Sequence, residues 1–187
     1  MDNGYLRTYI EGDGRKDAMI VKRCRMARET AKLLDTADTF PSLDFSLIKG
    51  ERILFPQDMG KRWRILLVYR DHWSPICRQQ LVDFTNAADE FQKRDIGLVA
   101  GSVDNPGDTR KMADELKISF PLAYGLNAKE ISLKTGGFYE GEKGYLQPSG
   151  FVLDPEGKIA NAVYATMAIG RLGAKDCLLL ISYLKKI

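Results

Sequence analysis

Residues 64–81, RILLVYRDHWSPICRQQL, change their periodicity halfway. RILLVYR (64–70) is an apolar run without polar alternation, the pattern of a strand buried on both faces. From Cys77 the apolar positions step by four, three, four and three through Leu81, Phe84, Ala88 and Phe91, which predicts a helix over about 75–93. Between the two, Ser74-Pro75 is a helix start: serine caps through its side-chain oxygen, and proline suits the first helical position. A strand feeding a capped helix opens a βαβ unit. The loop 70–76 then lies at the carboxyl end of a strand, where open α/β sheets hold their functional groups.

The same alternation continues outward. DIGLVAGSVD (95–104) is a second strand, 107–117 a helix, ISFPLAY strand-like and 126–134 a further helix. GFVLD (150–154) and KIANAVYA (158–165) flank Pro155-Glu156-Gly157, the signal of an antiparallel hairpin. AKDCLLLISYLKK is a final helix. Upstream, Pro41 and Gly50 frame a short hairpin with strands near 43–47 and 52–55. Ile20, Cys24, Ala27, Ala31 and Leu34 place one apolar face on a helix over 16–35. The result is an α/β fold with a sheet of mixed direction, in two parts: an N-terminal helical extension (1–38) and the main domain (39–187).

Composition narrows the function. The chain has 187 residues, 44% of them hydrophobic, enough for a real core in one domain. A net charge of +3 is too small to argue for nucleic acid, and no stretch is long enough to span a bilayer. No secretory h-region is visible near the start, so the cytoplasm is the expected location. The cysteines, Cys24, Cys77 and Cys177, are too few and too scattered for a disulfide scaffold. His72 is the only histidine, so no metal-type Cys/His cluster is expected.

Cys77 falls at the third helical position, near unpaired N–H groups and the positive end of the helix dipole, both of which favour a thiolate. Arg70 and Arg78 could add positive charge, and Ser74 could donate to the sulfur or to a reacting oxygen. An accessible, electropositive helix tip bearing a thiol nucleophile is one reading. The other is packing: Cys77 sits on the core stripe, where cysteine acts as a small hydrophobe. His72 is a base or a solvated loop residue; Trp73 walls a pocket or covers the helix end. Cys24 and Cys177 lie on apolar stripes, yet either could resolve an oxidised Cys77.

VYRDHWSPICRQQL, SVDNPGD, YLQPSGFVLDPEGKIANAVYA and AIGRL together resemble the peroxiredoxin-like branch of the alkyl hydroperoxide reductase/thiol-specific antioxidant family, over about residues 39–187. The resemblance implies a thioredoxin-like fold, a central mixed sheet flanked by helices, and a redox role without a cofactor. In that branch a Cys-x-x-Cys motif is common, and Cys77 matches its second, peroxidatic-type cysteine, with Ser74 at the first. The proline of the family's Pro-x-x-x-Thr/Ser-x-x-Cys pattern is here Arg70, and its peroxide-holding arginine is here Pro148. Pro148 instead resembles the cis-proline of thiol exchangers. Arg171 is a candidate substitute cation.

Three functions follow as expectations. The first is a thiol-dependent peroxidase using Cys77 with Ser74 and Arg78, a pocket of Arg70, His72, Trp73, Pro148 and Arg171, and an external thioredoxin- or glutathione-like thiol as reductant. The others are a catalytically weak binding or scaffold protein and a thiol–disulfide exchanger acting on disulfides. A homodimer is compatible with the N-terminal stripe.

Overall fold

Every residue of the strand Trp63–Val68 is buried, as a strand covered on both faces requires. The structure, a computed structural model, describes residues 26–30 and 32–186. Its elements are β1 (Met26–Ala27), β2 (Leu43–Leu47), β3 (Arg52–Phe55), β4 (Trp63–Val68), α1 (Pro75–Asn86), α2 (Ala88–Lys93), β5 (Ile96–Gly101), α3 (Pro106–Leu116), β6 (Leu122–Tyr124), α4 (Ala128–Thr135), β7 (Tyr139–Glu140), β8 (Ser149–Leu153), β9 (Ile159–Tyr164) and α5 (Ala174–Leu184).

Seven strands form one sheet in the order β3-β2-β6-β5-β4-β8-β9. β4 runs parallel to β5, and β5 to β6; β8 lies antiparallel beside β4, and β9 antiparallel beside β8 at the edge. This is the mixed sheet of a thioredoxin-like fold. Alternation along β4 splits the core in two. Ile65 and Leu67 join Leu81, Phe84, Phe91, Met112, Cys177 and Ile181 on the face covered by α1, α2, α3 and α5. Leu66 and Val68 face the aromatic cluster of Phe40, Phe55 and Phe151 and the α4 residue Ile131. Each such large apolar side chain contributes about 1.5–3 kcal/mol on burial.

Two local expectations change. The helix over 75–93 is two helices, broken at Ala87 with φ −97° and ψ 1°. The apolar stripe bridges the break, because Phe84 and Phe91 stack with centroids 5.5 Å apart. The N-terminal helix over 16–35 lies outside the described residues as far as residue 25. Its described part is not helical: Met26 and Ala27 pair with Glu140 and Tyr139. The Glu29 N–H donates to Ser132 Oγ at 2.8 Å, and Leu34 packs on the second core face. Gly136, at φ +81°, permits this docking: a Cβ there would stand 2.5 Å from the Lys32 carbonyl oxygen.

Candidate active site at the carboxyl end of the central strand

β4 ends at Val68, and the chain crosses residues 69–74 before α1 begins. Ser74 caps α1 and Pro75 is its first residue, which fixes Cys77 in the first turn. Ser74 Oγ accepts the Cys77 N–H at 3.5 Å. Two donors reach the sulfur itself, the Arg70 backbone N–H at 3.3 Å and Arg171 Nη1 at 3.5 Å. A sulfur at a helix N-terminus with a guanidinium beside it is the setting in which charge-assisted donors stabilise negative charge on sulfur.

Cys77 is fully buried, against the expectation of an accessible tip. The stripe that seats Leu81 and Phe84 in the core seats Cys77 there too, so the thiol is both a packed residue and one surrounded by donors.

Arg171 arrives from the loop between β9 and α5. Its Nη2 donates to the Ala168 carbonyl at 2.7 Å and its Nη1 to Gln80 Oε1 at 3.3 Å. Gln80 Nε2 in turn donates to the Leu172 carbonyl at 3.0 Å. Gly150 lets this loop settle onto β8, since a Cβ there would lie 2.6 Å from Leu172 Cδ1. Burial pulls the Arg171 guanidinium below its ordinary value, and the neighbouring Cys77 opposes that shift. Among the described residues Arg171 has no carboxylate partner, so the sulfur is the group placed to answer its charge.

Arg70 gives the sulfur its backbone and turns its side chain elsewhere. The guanidinium lies over Trp73 and Tyr145, 5.2 and 4.6 Å from the ring centroids, and Nη2 donates to the Tyr145 hydroxyl at 2.7 Å. Trp73, half exposed, meets Tyr145 edge-on at 5.9 Å. These three side chains form a wall beside the turn. The Nε–H groups of Arg70 and Arg171 are buried without acceptors.

Arg78, expected to act on the thiol, faces outward. Its Nη2 pairs with Glu115 at 2.8 Å and its Nη1 donates to the His72 carbonyl at 3.4 Å. Position 78 follows Cys77 by one residue, about 100° around the helix, which turns it to α3. His72 Nδ1 stands 2.7 Å from Asp104 and 2.8 Å from Asp71. These three side chains converge closely enough to suggest a metal, but their N–O separations are hydrogen-bond lengths, and a shared proton accounts for them.

Pro148 is buried at the entry to β8, its carbonyl accepting the Ala165 N–H at 2.9 Å. The one cis peptide among the described residues is Phe55–Pro56, so the Gln147–Pro148 bond is trans and the cis-proline analogy does not hold. Cys177 is buried and free, its thiol pushed up to about 12 by burial first and Asp176 second. Cys24 lies outside the described residues. Sequence reasoning passed over Gln80, Tyr145 and Asp104. Gln80 alone had a signal, standing one turn after Cys77 on the same helix face.

Residues 37–162 match the model of the AhpC/TSA family. A peroxiredoxin of Thermotoga petrophila is 27% identical over 140 residues, covering 72% of this chain; the match spans 64% of that protein's length. Among solved structures, a cysteine-to-serine mutant of peroxiredoxin 6 from Arenicola marina superposes with a TM-score of 0.72 at 19% identity, covering 81% of this chain and 74% of that one. A yeast mitochondrial 1-Cys peroxiredoxin, whose thiol is resolved via glutathione/thioredoxin systems, gives 0.67 at 21% identity, covering 82% and 78%.

Proposed function

We propose, for a chain that belongs to the AhpC/TSA family, a thiol-dependent peroxidase whose single reacting sulfur is Cys77. The Cys77 thiolate attacks one oxygen of a hydroperoxide. The S–O bond forms as the O–O bond breaks, sulfur is oxidised to a sulfenic acid, and the other oxygen leaves as hydroxide or alkoxide and takes up a proton. Arg171 and the Arg70 N–H stabilise charge on the sulfur and then on the departing oxygen. Ser74 holds the helix end that presents the thiol.

The reducing half needs two further thiol equivalents. The first displaces water from the sulfenic acid to give a mixed disulfide, and the second releases Cys77 as a thiol. Cys177 is poorly suited to this because its thiol stays protonated in the core. An external thiol of the glutathione or thioredoxin class is the reductant we infer, in line with the yeast 1-Cys relative.

The observation that carries this reading is the guanidinium of Arg171 on the Cys77 sulfur, without a carboxylate of its own among the described residues. The test is stopped-flow reduction of hydrogen peroxide by the protein and by Cys77→Ser. Fast, stoichiometric reduction lost in the variant is expected; equal slow consumption by both rejects the reading.

The complete burial of Cys77 favours a second reading, a thioredoxin-fold binding protein in which the pocket persists without turnover. It predicts that iodoacetamide leaves Cys77 unmodified in the folded state. Thiol–disulfide exchange stands behind both, because the motif holds one sulfur.

A further inference from the structure

The buried Cys77 raises the question of what opens. The loop that gives the sulfur the Arg70 N–H, residues 70–74, is fastened to the rest of the molecule by the Arg70 and Trp73 side chains on Tyr145, by the His72 carbonyl on Arg78, and by the His72 ring. The third fastening is unlike the others because it can lose its charge. His72 Nδ1 contacts Asp104 Oδ1 at 2.7 Å and Asp71 Oδ1 at 2.8 Å. Asp104 is a rigid anchor: its side chain is 3% exposed. Ser102 Oγ donates to Asp104 Oδ2 at 2.7 Å, and the Asp104 carbonyl accepts the Gly125 N–H at 2.8 Å. Asp71 belongs to the moving side, its Oδ1 accepting the His72 backbone N–H.

We propose that His72 is a positioning residue for the Cys77 site: its charged ring bolts residues 70–74 to the turn between β5 and α3, and loss of its proton loosens the bolt and gives reagents access to the sulfur. The inference rests on the peroxidase reading only for its purpose, since the bolt itself is a matter of loop geometry.

The surroundings set the direction. His72 faces Asp71 on its own loop, Arg78 on α1, and Asp104, Asp108, Lys111 and Glu115 on the opposing turn and α3. Four carboxylates against two cations favour the imidazolium. The hydrogen bond to Asp104 is the largest influence raising the His72 pKa above its ordinary value. Asp71 is raised to about 6, first by burial and then by Asp104. Both shifts have the same sign. A group that holds its proton more tightly with the loop shut stabilises the shut loop at low pH. That contribution fades for Asp71 between its ordinary 3.8 and about 6, and for His72 as pH rises from 6.5 through its raised value. Both contacts fall on Nδ1, which carries one N–H in the charged ring; the neutral ring can keep that N–H toward Asp104 only without its charge.

The experiment measures Cys77 alkylation by iodoacetamide, located by mass spectrometry, in the wild type and in His72→Gln from pH 5.5 to 8.5. Glutamine cannot titrate, so it imitates the neutral ring throughout. The variant is expected to react about ten-fold faster at pH 5.5, the scale of one lost charge-assisted hydrogen bond, with the ratio falling to about one at pH 8.5. Asp104→Asn is expected to act in the same direction. Because His72 is the only histidine in the chain, its ring signals titrate in an NMR spectrum without assignment, with a midpoint expected above 6.5. A pH-independent ratio, a variant slower at every pH (the result if His72 acted only through its charge on the thiolate), or a midpoint at or below the ordinary value overturns the proposal. None of these readouts uses peroxide. Passing them without peroxide reduction refutes the peroxidase reading alone, and peroxide reduction with a flat ratio refutes the bolt alone.

Discussion

Two cysteines in this molecule have nearly the same address and different surroundings. Cys77 lies in the first turn of α1 and Cys177 in the first turn of α5. Both are essentially unexposed, and both belong to the same core cluster. The first turn of α1 is capped by a serine side chain, and its thiol receives a backbone N–H and a guanidinium. The first turn of α5 begins at Gly173 without a side-chain cap, and the neighbour of its thiol is Asp176, which together with burial pushes the thiol up to about 12. A helix N-terminus and a buried sulfur are common to both; what differs is the donors aimed at the sulfur of Cys77, and they come from a loop and from the far end of the chain. On the proposed reading, those donors separate the reacting thiol from the packed one.

The sharpest way to break this contrast is to remove each sulfur in turn. Cys77→Ser is expected to lower the rate of peroxide reduction by on the order of 10³-fold or more. Cys177→Ala should leave that rate within about two-fold while costing about 1 kcal/mol of stability. Comparable losses in both variants, measured by stopped-flow, would erase the distinction. The next test moves the charge. Arg171→Met keeps the length of the side chain and removes the guanidinium, and kcat/KM is expected to fall about 10²–10³-fold, the scale of one lost donor to a developing anion. Arg171→Lys should recover only part of this, because one ammonium nitrogen cannot serve the sulfur and Gln80 and also reach the Ala168 carbonyl, which the second arm of the guanidinium holds.

How far such distinctions could be read from the chain alone depends on how far apart their parts lie. The strand RILLVYR, the Ser74-Pro75 cap, the hairpins around Gly50 and Gly157 and the final helix are local patterns, and each appears where its periodicity placed it. The break at Ala87 was not legible, because no glycine or proline marks it and the apolar stripe continues across it. The described part of the N-terminal segment follows helical spacing yet pairs as a strand with β7, a partner more than a hundred residues away. The site divides in the same way. Cys77 and Ser74 share one turn and were visible together. Arg171 reaches the sulfur across 94 residues, and Asp104 reaches His72 across 32, separations at which spacing carries no information. Arg78, adjacent in sequence, was the more obvious cation, but the helix turns it to Glu115.

Two smaller effects sharpen the comparison between the helix starts. Ser74→Ala removes the cap that α5 lacks, and is expected to cost about 1 kcal/mol, a fall in Tm of about 2–4 °C for a chain of this size. A larger loss would mean that Ser74 holds more than the helix end. The smallest effect is the pH dependence of global stability from His72. With its pKa raised in the folded state, His72 stabilises the fold below its unfolded value near 6.5, and that contribution disappears as pH rises through the raised value. The ring is 36% exposed, so solvent screens the effect. The difference in urea midpoint between the wild type and His72→Gln should be small at pH 5.5 and vanish at pH 8.5. A difference that grows with pH has the wrong sign.

The most direct measurement is where the oxygen goes. Treat the full chain with one equivalent of hydrogen peroxide in the presence of a sulfenic-acid trap such as dimedone, and map the adduct by mass spectrometry. The account predicts rapid labelling of Cys77, none of Cys177, and a marked loss of Cys77 labelling in Arg171→Met. Labelling of Cys177, or a Cys77 that stays unlabelled while peroxide persists, would contradict it.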